Sequence, residues 1–231
     1  MADKTTSRRR RLAFASFAAL TLSLLASSGA AAWSSVSSTR SPFVRDVYFA
    51  AGYERQVDNR TCTAAATAMM LNFIADRDLS LNQYAILGYE KPRDALSDSV
   101  QRGSDPLGWA TALTHYASVV GEPTTYRWWA FGARLGALRV AARQIALYGK
   151  PVGLLVDGGA HAVVMTGFQS DRDPRSGDWT LQRIWVSDPY AGHHVAYSPS
   201  SPPLTRYLQL DATPTYDHLW YNRFIIVAPI S

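Results

Sequence analysis

The rhythm of hydrophobic and polar positions changes once along this chain, near Lys150. Before that point the pattern is helical. Thr63 to Ile74 is rich in Ala, Met and Leu, which favour helix, and the run ends near Asp76-Arg77-Asp78. Ser80 stands where an N-cap would open a second helix through Gln83 to Leu87. Asp105-Pro106 is a capping residue followed by proline at the first helical position, and predicts a third helix through Trp109, Leu113 and Tyr116. From Phe131 to Tyr148, Leu135, Leu138, Ala142 and Ile145 recur at helical spacing with Arg134, Arg139 and Arg143 between them. Gly149 stops this amphipathic fourth helix.

After Lys150 the pattern becomes that of strands. Pro151 to Val156 is a short apolar run, Asp157-Gly158-Gly159 is turn chemistry, and His161 to Phe168 is a second run. A polar segment, Ser170 to Asp178, leads to a third strand, Trp179 to Val186, ended by Asp188-Pro189-Tyr190. A last strand spans Leu219 to Val227 after a Pro-rich loop, and Asp46 to Tyr53 reads as a short first strand or lead-in. Helices first and antiparallel strands second predict an α+β fold. No internal repeat stands out.

The N-terminus narrows the setting. Arg8 to Arg11 precede Leu12 to Ala32, which carry no charge and end in small residues with an A-x-A pattern. Residues 1–32 therefore read as a secretory signal peptide cleaved after Ala32. The alternative is an uncleaved signal anchor, since 21 uncharged residues can just span a bilayer, though the many Ala and Ser make that span weakly hydrophobic. The arginines fit an ordinary or a twin-arginine signal. The protein is expected to be secreted or extracytoplasmic, touching a membrane only through an uncleaved signal. Residues 33–46, rich in Ser and Thr, read as a linker, and residues 47–231 as one domain.

Removing residues 1–32 also removes most of the basic excess. The whole chain has 23 Lys and Arg against 18 Asp and Glu, and the remainder has 18 against 17. No nucleic-acid partner follows from a balance that even.

The chain has one cysteine, Cys62, so no intramolecular disulfide forms. A lone thiol in an exported protein is either a small buried hydrophobe or a reactive group. Its position argues for the second reading, because Cys62 lies at the mouth of the first helix, where the dipole favours thiolate over thiol. Gln56 brings an amide donor six residues upstream. If His161–Phe168 and Trp179–Val186 form a hairpin about Pro174-Arg175, paired residue numbers sum to near 349, and His161 faces the neighbourhood of Asp188. A thiol nucleophile needs an imidazole within hydrogen-bond reach, and the imidazole needs an acceptor on its other nitrogen. Cys62, His161 and Asp188 supply those three roles.

Gln-x5-Cys entering an Ala/Met/Leu helix, then Gly-Lys-Pro-Val-x-Leu-Leu-Val-x-Gly-Gly-x-His-x-Val-Val-x-Thr-Gly-Phe, then Val-Ser-Asp-Pro-Tyr, resembles a C39-like peptidase of the papain-like superfamily. The similarity covers roughly residues 53–190. The resemblance implies a papain-like fold, with a helical half carrying the cysteine helix packed on a C-terminal antiparallel sheet. It implies Cys62 as nucleophile, His161 as general base and acid, Asp188 as the orienting residue and Gln56 as oxyanion donor. Peptide-bond or amide hydrolysis through a thioester acyl-enzyme follows, with no cofactor, a peptide or protein substrate and a monomeric enzyme. Two other readings keep the fold: a transglutaminase-like acyltransferase with the same triad, and a silent envelope binding protein. A degenerate member would be expected to lose Cys, His or Asp, and this chain keeps all three. It departs from the family in Thr63-Ala64, where Gly or Gly-Pro is usual, and in a longer interval from His161 to Asp188. Thr63 is expected to narrow the approach to the sulfur. These 231 residues contain no transporter segment, so the double-glycine leader substrates of some members are not implied.

The remaining candidates are weaker. His193-His194 lacks the spaced pattern of a metal site, because adjacent side chains on extended backbone point apart. His115 and His218 read as structural or exposed. Tyr126, Trp128, Trp129 and Phe131 are either core or a wall of the substrate cleft. Asn59-Arg60-Thr61 fits a glycosylation acceptor, but a glycan there would obstruct the thiol, so Asn59 and Thr61 read as helix-start residues.

Overall fold

A computed structural model describes residues 41–96, 103–192, 194–201 and 220–231. The signal segment, His193 and His218 lie outside the described residues. Seven strands form one antiparallel sheet: β1 (Phe43–Asp46), β2 (Tyr126–Phe131), β3 (Val152–Val156), β4 (His161–Ser170), β5 (Leu181–Ser187), β6 (His194–Tyr197) and β7 (Phe224–Pro229). Their order is β2-β7-β3-β4-β5-β6, and β1 pairs with the Gly167–Ser170 end of β4. Four helices are described, α1 (Cys62–Ala75), α2 (Gln83–Glu90), α3 (Pro106–Val119) and α4 (Arg134–Tyr148); α1, α3 and α4 pack on the sheet, and α2 packs on α1 and α3. The α+β class expected from the patterning is the class observed.

Alternation along the strands divides the core into two layers. Ala162, Val164 and Val227 face Met69, Met70 and Trp109 of α1 and α3. Leu154, Val163, Met165 and Ile226 face Leu138, Ala142 and Ile145 of α4 on the opposite side. Cover on both faces explains why β3 and β7 are unbroken apolar runs with no polar phase. Gly153 of β3 lies where Trp109 crosses the sheet: a Cβ there would collide with the indole ring.

Helix α1 is buried from Cys62 through Phe73. Helices that lack a polar stripe belong inside, and this one is enclosed by α2, α3 and β4. It ends at Asp76, whose φ of 50° turns the chain out of the helix. Asp105 caps α3 as predicted, accepting from Leu107 N and Gly108 N, and Gly149 ends α4 at φ 65°. No helix among the described residues is long and apolar enough to cross a membrane.

Several boundaries differ from expectation. The sheet begins at Phe43, inside the span read as linker, because Phe43 stacks on Phe168 and binds β1 to β4. Asn82, not Ser80, caps α2 by accepting from Ala85 N, while Ser80 sits at φ 51°. Phe131 closes β2 instead of opening α4, whose first residue is Arg134. Strands β2 and β6 were not foreseen. The last strand starts at Phe224, after a turn through Trp220.

Candidate active site

The β4–β5 hairpin forms, with its register displaced. Val164 faces Ser187 and Phe168 faces Ile184, sums of 351 and 352, because the turn is centred about one residue beyond Pro174-Arg175; the irregularities after Met165 and Gln169 shift the ladder by one and cancel. Asp188 is nevertheless brought to His161, since it lies one residue past the end of β5 and has left the ladder. His161 Nε2 and Asp188 Oδ1 are 2.7 Å apart. The same Oδ1 accepts from Tyr190 N at 2.8 Å and Ala191 N at 3.4 Å, so the carboxylate is fixed by its own turn as well as by the ring.

His161 is placed by the other hairpin. β3 and β4 are joined through Asp157, Gly158 and Gly159 at φ 56°, 65° and 88°, and Val156 pairs with His161 at the mouth of that turn. With Nε2 engaged by Asp188, the second ring nitrogen is left for the side chain of Cys62, which is near enough to act on the protonation of the ring. Burial alone would lower the His161 pKa. The hydrogen bonds and charges of Asp188 and Cys62 outweigh it and raise it to about 9. Burial pushes Asp188 up, but His161 and the N–H groups of Tyr190 and Ala191 prevail and hold its carboxyl below the usual range.

Cys62 is the first residue of α1 and is 8% exposed. Thr61 occupies the N-cap position, yet its hydroxyl donates to Asp58 O at 3.1 Å instead of capping the helix. The first N–H groups of α1 are thus left without a side-chain cap, as an incoming oxyanion requires. Gln56 Nε2 donates to the same Asp58 O at 2.8 Å, which brings its amide to the turn that delivers Cys62 and leaves its second N–H without a partner among the described residues. Gln56 Oε1 is buried without a hydrogen-bond partner among the described residues.

The segment carrying Gln56 is tied to the Asp188 segment. Gln56 N donates to Pro189 O at 3.0 Å, and Tyr53 Oη donates to Asp188 O at 3.1 Å. On its other flank Gln83 of α2 donates to Arg55 O at 2.8 Å and accepts from Val57 N at 3.0 Å, clamping the backbone on both sides of Gln56. Sequence reasoning missed Gln83, and a buried Gln in the first turn of a helix was the only signal.

Glu90 was missed as well. It is wholly buried at the C-terminal end of α2, where the dipole disfavours a carboxylate, and that placement was readable. Thr63 Oγ1 donates to Glu90 Oε2 at 2.7 Å, and Thr67 Oγ1 contacts Oε1 at 3.4 Å. Burial raises the Glu90 pKa to about 8 against those hydrogen bonds. Thr63, expected to narrow the approach to the sulfur, is itself buried with its hydroxyl turned to Glu90.

The other candidates fall away from this cluster. His194 stacks on Tyr48 with ring centroids 4.0 Å apart, and its Nε2 lies 3.0 Å from Asp46 Oδ2. His115 stacks on Tyr89. Among the described residues no three His, Cys, Asp or Glu converge on a metal position. The aromatic cluster resolves into β2: Tyr126 is in the core beside α3, while Trp128 and Trp129 are half-buried along a separate groove. Compared with known proteins, the chain matches no family model and no curated sequence.

Proposed function

We propose that this chain is an exported cysteine peptidase or amidase of papain-like fold, acting through Cys62, His161, Asp188 and Gln56. The observation that carries the reading is the relay itself. A thiol at a helix N-terminus lies near enough to act on an imidazole whose Nε2 is 2.7 Å from a carboxylate. In this reading Asp188 fixes the ring so that Nδ1 faces the sulfur and Nε2 faces the carboxylate.

The sulfur of Cys62 attacks the carbonyl carbon of a peptide or amide, and the carbonyl electrons move onto oxygen. Cys62 N–H and the second Gln56 amide N–H stabilise that oxyanion. The Nδ1 proton passes to the leaving amine as the C–N bond breaks, giving a thioester. Water then attacks the thioester while His161 takes its proton. The carboxylic acid leaves, and the sulfur and imidazolium are restored.

The test needs no substrate. Cys62 is the chain's only thiol, so iodoacetamide labelling can be followed from pH 4 to 10 in wild type and His161→Ala. Fast labelling at pH 5–6 that is lost in the variant is expected. Labelling confined to pH above about 8 in both proteins would remove the thiolate–imidazolium pair and the proposal with it.

A further inference from the structure

The hydrogen-bonding phase of β2 leaves one edge of the sheet open among the described residues. Thr125 O accepts from Ile230 N at 2.8 Å, so residue 125 pairs toward β7. Tyr126, opposite Pro229, turns its backbone the other way: its N donates to Thr114 Oγ1 at 2.9 Å, and its O accepts from that hydroxyl at 3.4 Å. Backbone groups alternate sides along an antiparallel strand. Trp128 and Ala130, two and four residues on, therefore also turn their N–H and C=O away from β7. Thr114 stands in for a neighbouring strand at one rung only.

Past that rung a groove of about 750 Å³ runs between α3 and β2. Arg127, Trp128 and Trp129 all line it. Consecutive strand side chains point to opposite faces, so the groove follows the edge of β2 and not one face of the sheet. The buried Tyr126 hydroxyl, on the same lining, has no hydrogen-bond partner among the described residues.

The charge of the groove selects its occupant. Arg127 lines it, and Arg93 lies 3.5 Å over the ring of Tyr89, another lining residue, whose opposite face is stacked on His115. No Asp or Glu is on the lining. Neither arginine is ion-paired with a carboxylate among the described residues. Cys62, His161 and Asp188 are not on the lining either.

We infer that this groove docks an extended peptide segment bearing acidic side chains, which adds as a further strand to β2 through Trp128 and Ala130. Its carboxylates meet Arg127 and Arg93, and its apolar side chains lie against Trp128 and Trp129. The site is separate from the thiol and does not depend on the activity proposed above.

Binding is measured by fluorescence anisotropy on Cys62→Ala protein, which excludes turnover. The probe is a panel of labelled octapeptides alternating Asp or Glu with Val, Ile or Phe, beside Lys-for-acid and backbone N-methylated counterparts. The acidic panel is expected to bind, and both counterpart panels to fail. Arg127→Glu should weaken binding roughly tenfold or more. Ala130→Pro should do the same while leaving the β7 pairing intact, since that N–H faces outward. Should Ala130→Pro not fold, the N-methylated peptides decide. The proposal is overturned if no acidic peptide binds the folded Cys62→Ala protein. It is equally overturned if the lysine panel binds as well, or if N-methylated peptides bind like their parents.

Discussion

Gln56 carries the sharpest expectation at the scale of a single residue. Its amide shares the Asp58 carbonyl with Thr61 and has a second N–H with no partner among the described residues. If that N–H faces the oxyanion, Gln56→Ala should lower kcat by about 10²–10³ with little change in KM. An unchanged kcat in a folded variant would remove Gln56 from the chemistry. The meeting of His161 with Asp188 was legible in the sequence because a hairpin between their strands brings both to one edge of the sheet, and Cys62 stood out because the chain offers only one thiol. Glu90 and Gln83 were not, because what matters about them is tertiary. Glu90 is defined by Thr63 and Thr67, which reach it from α1, and Gln83 by a loop some 26 to 28 residues earlier.

At the scale of elements, the β3–β4 hairpin holds the imidazole, and its turn depends on left-handed backbone. Gly159 at φ 88° is a conformation that a Cβ penalises, so Gly159→Ala should cost about 1–2 kcal/mol in urea unfolding. Gly136 lies inside α4 with open space where a Cβ would go, and Gly136→Ala should instead stabilise by about 0.5–1 kcal/mol. Equal effects of the two substitutions would refute the argument. The turn was readable because Asp-Gly-Gly has few other uses. β2 was not, since Tyr-Arg-Trp-Trp-Ala-Phe shows no clean alternation: its two faces pack on different helices and its edge opens on a groove. The hairpin register was missed by two to three positions because the polar Ser170–Asp178 segment does not mark where the turn is centred: Ser170 already pairs with Leu181 beside it.

For the whole molecule the buried titratable groups set how stability varies with pH. His161 is raised from 6.5 to about 9, so its contribution is complete below pH 6.5 and is lost as pH rises through 9. Glu90, raised from 4.5 to about 8, contributes fully below pH 4.5 and loses that contribution as pH rises through 8. Asp188 runs the other way: its contribution is present above pH 3.8 and is lost as pH falls through its depressed folded value. Urea unfolding of the wild type should therefore show stability declining from about pH 4.5 to 9. Glu90→Gln should flatten the first part of that decline and keep the part above pH 6.5 that belongs to His161. Superimposable pH profiles would show that Glu90 does not hold its proton in the folded protein.

The thiol is mounted on a helix with no exposed face before Ile74. Such a helix cannot fray, tilt or exchange neighbours without opening the core layer it shares with α2 and α3, so it offers selection no gradual way to retune the sulfur from beneath. New specificities in this lineage would have to be written in the loops that meet at Cys62, with α1 inherited nearly unchanged.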